Sequence, residues 1–188
     1  FAALVRKKSK RETNMFDSSM DLPDAIEKNN LAKVVFLLAV GQNDPNMRAN
    51  NDEPVLINLV LKILAQDTIT GSLEDDRNET PDRVKMFRVL QALVKFGVDL
   101  NTTEAKNGIP PLHLCVNVGN AKMIKYLLDN GADANQLSDP PAGDVDGATP
   151  MMHAAKFGYI YILADLIRRG SALSAEDISG RNVLHYAA

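Results

Sequence analysis

Gly147-Ala148-Thr149-Pro150-Met151-Met152-His153-Ala154-Ala155 is one of three near copies of a single phrase. The other two are Gly108-Ile109-Pro110-Pro111-Leu112-His113 and Gly180-Arg181-Asn182-Val183-Leu184-His185. Gly147 and Gly180 lie 33 residues apart, whereas Gly108 and Gly147 lie 39 apart, so one interval carries an insertion. A fixed period interrupted in one place is the mark of a stacked repeat array.

The phrase makes local physical sense. Proline at the first helical position forfeits only an amide hydrogen that would have no intrahelical partner there. Thr149, or Asn182 in the last copy, can cap the helix that follows. Gly119 and Gly158 fall where one helix stops and the chain reverses, a left-handed position that glycine adopts most easily. Each unit is therefore expected to be a helix, a tight turn, a second helix and an extended finger. Few aromatics, no tryptophan and long runs rich in Leu, Ala, Val, Lys and Met also fit an all-α chain.

These residues resemble the ankyrin repeat, whose opening reads Thr-Pro-Leu-His-x-Ala-Ala. Thr149 to Ala155 is the nearest copy, and Leu127-Leu128-Asp129-Asn130-Gly131-Ala132-Asp133-Ala134-Asn135 matches the repeat's ending. The resemblance implies an ankyrin-repeat solenoid of four repeats and a partial fifth. A basic leader occupies 1–20, and the array 21–188 divides at about 21–51, 52–106, 107–146, 147–179 and 180–188.

The first repeat is found by sliding 107–131 back 90 positions without a gap, which sets Leu112 on Leu22, Leu127-Leu128 on Leu37-Leu38 and Gly131 on Gly41. Asn29 then replaces Gly119 at the left-handed turn. Helices are expected at 22–28 and 31–40. The second repeat is swollen: its first helix should run from 54 to about 66 and its second should end at Gly97, with a polar insertion at 67–80 between them. Thr80-Pro81-Asp82 reads as a cap, a first-position proline and a dipole-compatible acid. An insertion of this length is either solvated or touches a partner, here through Glu74, Asp75 and Asp76. Further helices are expected at 111–117, 121–129, 150–157 and 160–168. The chain ends inside the first helix of a repeat, and the array is expected to continue past Ala188.

The leader contains Arg6, Lys7, Lys8, Lys10 and Arg11. Three readings stand for it: a nuclear-import or anionic-surface patch, the flank of a membrane span, or a solvated leader. The apolar run 1–5 is far too short for a span, so no membrane insertion is expected. One cysteine precludes an internal disulfide, and the net charge of −3, with no basic stripe read outside 6–11, argues against nucleic acid as a partner.

Few residues suggest chemistry. No histidines share metal-ligand spacing and Cys115 has no companion at such spacing, so no metal or cofactor is expected and Cys115 reads as a core thiol. In the resemblance, His113 and His185 occupy the tetrapeptide position where imidazole bonds the turn. Pro110 should deny His113 its usual threonine partner, and Met152 should deny Thr149 its histidine; Asn182 with His185 approximates the pair. Asn101 and Asn135 sit where the resemblance places asparaginyl hydroxylation, against the simpler reading that each bonds its own turn.

The resemblance implies a non-enzymatic module that binds another protein or peptide by its concave face and fingers. The template puts Asp24, Glu27, Lys28, Leu114, Asn117, Val118, His153, Lys156, Phe157 and Tyr186 on that wall. Phe157 and Tyr186 with His153 form the expected patch, because exposed aromatics anchor interfaces. The contrasting reading is a targeting or autoinhibitory domain of a larger enzyme or ion channel. A monomer is expected, cytoplasmic or addressed to the nucleus by Arg6–Arg11.

Overall fold

The structure, a computed structural model, describes residues 20–41, 43–70, 80–138 and 147–188. Among them the regular elements are helices, α1 (Leu22–Glu27), α2 (Leu31–Ala39), α3 (Val55–Thr70), α4 (Pro81–Lys95), α5 (Pro111–Asn117), α6 (Ala121–Asp129), α7 (Pro150–Lys156), α8 (Ile160–Arg168) and α9 (Val183–Ala187). The only pairing of extended backbone among the described residues is an isolated antiparallel bridge between Arg48 and Pro54.

Side-chain caps start several of the helices where the phrase predicts. The Asp21 carboxylate accepts from Asp24 N at 2.9 Å, Thr80 Oγ1 from Arg83 N at 3.3 Å and Thr149 Oγ1 from Met152 N at 3.4 Å. Asn30 and Asn120 do the same for the second helices of their pairs, accepting from Lys33 N and Met123 N. Asn29, Gly119 and Gly158 turn between paired helices with φ of 52°, 72° and 69°. A Cβ on Gly119 would lie 3.1 Å from Tyr159 Cζ, so this glycine serves both the turn and the ring packed across it.

The pairs stack so that the first helices form one row, α1 on α3, α3 on α5, α5 on α7 and α7 on α9. The second helices form a row behind it, with α2 against α4. A continuous apolar core runs between the rows from Leu22 to Val183. In α6, Met123, Ile124 and Leu127 are fully buried, each contributing about 1.5–3 kcal/mol of transfer free energy. An all-α solenoid of helix pairs is therefore what the chain forms.

α1, α2, α4 and α7 end one or two residues before their expected stops, and α3 departs further. α3 continues to Thr70, past the expected stop near Gln66, so the start of the insertion prolongs the helix. Glu74, Asp75 and Asp76, the basic run Arg6–Arg11 and residues 139–146, which precede the fourth repeat, lie outside the described residues. No described helix is long and apolar enough to cross a membrane.

Candidate functional site

The first-helix row presents α5 and α7 side by side, and their expected wall residues meet. His153 Nδ1 donates to Asn117 Oδ1 at 2.6 Å, joining neighbouring repeats. The His153 ring stands edge-on to His113 at 5.3 Å and to Phe157 at 6.5 Å, and Phe157 lies 5.8 Å from Tyr159. An aromatic file thus leads from the core outward. Phe157 ends it at 45% exposed beside the exposed Lys156, while Leu114 and Val118 are half-buried against the core.

Tyr186, on α9, is tied to the finger that precedes it. Its hydroxyl donates to Asp177 Oδ2 at 2.7 Å, and Arg181 lies over its ring at 5.0 Å. Tyr159 is the aromatic beside Phe157 instead. An aromatic immediately before a second helix was the available signal for it.

Around Asp177, Ser179 N and Arg181 N both donate to Oδ1 at 2.8 Å, and Arg181 Nε donates to Oδ2 at 2.8 Å. Burial alone would raise this carboxyl. The bonds from Tyr186, Arg181 and Ser179 outweigh it and hold the group down at about 2. The finger carboxylate is thereby a structural clasp.

His113 is wholly buried, and its Nε2–H donates to Ala148 O at 2.9 Å in the next repeat. Its Nδ1 has no hydrogen-bond partner. The cause is Pro110, the residue three positions earlier, which has no amide hydrogen. In the last copy Asn182 N donates to His185 Nδ1 at 3.1 Å, as the sequence anticipated for that pair. Burial first, opposed by the Ala148 bond and aided by His153, pushes His113 down to about 3. In the fourth repeat Met152 does not leave the turn without its partner: Thr149 N lies 3.4 Å from Met152 Sδ, which accepts where imidazole would.

The fingers are linked in series. Asn46 Oδ1 accepts from Asp99 N, Asn101 Oδ1 from Asp133 N at 2.8 Å, and Asn135 Oδ1 from Ala172 N at 2.7 Å. Asn101 and Asn135 therefore bond the following repeat rather than their own turns. Their own turns are closed by the aspartates, since Asp99 and Asp133 accept from Asn101 N and Asn135 N.

Asp24 and Glu27 line a groove of about 400 Å³ between α1, α3 and the first finger. The Lys62 ammonium donates to the Glu27 carbonyl there, and Asn51 and Asn58 exchange two bonds of 3.2 Å at its edge.

Charge is divided unevenly between the two rows of helices. α2, α4, α6 and α8 carry eight bases and three acids, whereas α1, α3, α5, α7 and α9 carry two bases and three acids. Residues far apart in sequence share one side of the stack, which a linear reading does not reveal. Among the described residues no cluster of His, Cys, Asp and Glu is arranged to hold a metal, and Cys115 is fully buried. The arrangement offers surface and hydrogen-bonding groups for a macromolecular partner.

A family model described as ankyrin repeats (3 copies) matches residues 83–177. The chain is similar to NF-kappa-B inhibitor zeta of Bos taurus, 29% identical over 129 residues, covering 53% of this chain and 18% of that protein. It is similar to human neurogenic locus notch homolog protein 2, 26% identical over 147 residues, covering 63% of this chain and 6% of that protein. It is also 34% identical over 122 residues to palmitoyltransferase AKR1 of Kluyveromyces lactis, covering 61% of this chain and 15% of that protein. The matches thus span less than a fifth of each of these relatives.

Proposed function

This chain belongs to the ankyrin-repeat family, and from that premise we propose that it is a non-catalytic module that grips a segment of another protein along its first-helix row and fingers. Ankyrin repeats are in general protein-interaction modules, which supports a protein as the partner. The observation that carries the reading is the file ending at Phe157. It places a half-exposed ring beside Lys156, with His153 fixed by Asn117 rather than free to collapse. A pre-positioned aromatic loses little side-chain freedom when covered.

Leu114, Asn117, Val118 and Tyr186 flank the contact, and Glu74, Asp75 and Asp76 extend it toward a basic part of the partner. The chain acts as a monomer in the cytoplasm, or in the nucleus if Arg6–Arg11 is read as an address. A partner captured by this chain, then purified, provides the test. Phe157→Ala and Lys156→Glu should each weaken its binding at least tenfold by calorimetric titration; unchanged affinity in both variants defeats the assignment.

A second reading follows from the lengths of the relatives. Because they extend far beyond the matched region, and one is named a palmitoyltransferase, this second reading takes the array as the targeting or autoinhibitory arm of a larger enzyme or ion channel. Activity of the longer protein with and without this array distinguishes that role.

A further inference from the structure

We propose that the outer, second-helix side of repeats two to four is a separate docking surface for an acidic peptide with two apolar anchors. Two grooves flank α6. One, between α4 and α6, has Ile63, Val84, Phe87 and Met123 as its apolar lining, with Arg83, Arg88 and Lys122 around them. The other, between α6 and α8, is lined by Ile124, Ile162 and Tyr161, with Lys125, Arg168, Arg169 and the single acid Asp165. Asp165 is shared by Arg168 at 3.1 Å and Arg169 at 3.0 Å, and Arg169 also bonds Asp129 at 2.7 Å. Six bases, of which Arg83 is buried, therefore stand at the two grooves against two acids, Asp165 and Asp129, on a chain whose net charge is −3.

α4 and α6, and likewise α6 and α8, approach each other less closely than the first helices of the same repeats. Tyr161 lies on the rim at 88% exposed and Ile160 beside it at 74%. The position of Tyr161 in its helix is held by Lys122 in the repeat before and by Ala32 in the first, so a solvent position has received an aromatic. Phe87 is steadied by Tyr126, edge-on at 4.9 Å.

Charge selects an anionic occupant, and the apolar floors select a peptide over phosphate chemistry. Nucleic acid binds chiefly through charge, which would leave the two floors unused. The grooves are separated by the body of α6, about 10 Å across. An extended chain covers that in about three residues at about 3.3 Å each. The occupant is therefore a segment with apolar residues at i and i+3 and acids between and beside them. Phe157 lines neither groove, so the failure of this proposal and that of the first-helix reading are separate results.

The probe is a fluorescein-labelled peptide with two leucines three positions apart among aspartates and glutamates, titrated against this chain by anisotropy. Binding should saturate, weaken with added salt, and fall at least tenfold in Arg168→Glu and in Tyr161→Ala, with Phe157→Ala without effect. Lys125→Ser with Arg168→Ser, at exposed positions, provides a neutral variant whose helicity and melting match the parent, and it should lose binding as well. No saturation, binding equal for a peptide whose acids are replaced by lysines, or affinity unaltered in these variants overturns the proposal. Displacement of the peptide by phosphatidylserine vesicles or duplex DNA at lower concentration than unlabelled peptide also overturns it, in favour of a phosphate-bearing partner.

Discussion

The turn that opens the third repeat and the turn that opens the fifth carry the same imidazole in opposite circumstances. His185 is exposed, and its Nδ1 receives the amide hydrogen of Asn182. His113 is buried and bridges to Ala148, but Pro110 has removed the corresponding amide, leaving Nδ1 unmet in the core. Proline at that position thus affects more than the helix start: it withdraws a donor from a side chain three residues on. Leaving a buried acceptor unsatisfied costs roughly 1–3 kcal/mol.

The sharpest consequence is a pH dependence. Unfolded, His113 has its ordinary value of 6.5; folded, it is held at about 3. Between those pH values the unfolded chain binds a proton that the folded chain does not, so stability falls as pH drops below 6.5 and levels off near 3, by up to about 1.4 kcal/mol per pH unit. Replacing His113 with Leu removes this contribution. The stability difference between parent and His113→Leu should shift by about 2 kcal/mol in the variant's favour from pH 6.5 to pH 5, read from urea unfolding at both. No shift would show that His113 is not buried neutral.

Restoring the missing donor gives the next largest effect. Pro110→Thr supplies both an amide for His113 Nδ1 and a hydroxyl for the helix start, where Pro110 makes no side-chain cap bond. The backbone at 110, φ −71° and ψ 157°, suits threonine. Part of the gain is offset by the freer unfolded chain, so the expected stabilisation is about 1 kcal/mol at pH 7. A loss instead would mean that the rigid ring matters more than the unmet nitrogen. The smallest effect belongs to the exposed member: His185→Ala should change stability by no more than about 0.5 kcal/mol, since water can take the Asn182 amide.

Much of this was written in the local phrase. The spacing of Gly108, Gly147 and Gly180 gave the stacking, and α5, α6 and α8 occupy the bounds expected of them. The absence of a partner for His113 Nδ1 followed from Pro110 alone. What escaped depended on contacts between repeats. Thr149 finds a sulfur because Met152 is long enough to fold back to its amide. Asn101 and Asn135 reach the next finger, a distance no spacing rule reports. α3 runs on through Thr68 and Thr70, residues whose branched side chains argue weakly for helix. The bases of the outer face are separated by whole repeats and converge only when the pairs stack.

The asparagine rungs between fingers give the array a polarity. Each acceptor side chain belongs to the repeat nearer the amino terminus and each donor amide to the one after it, from Asn46 through Asn135 to Ala172. Helix pairs adhere by area and can tolerate a little sliding, whereas a directed bond to one amide fixes the step from unit to unit. Pitch, and hence the curvature offered to anything lying along the stack, is set at the fingertips as much as in the oily interior.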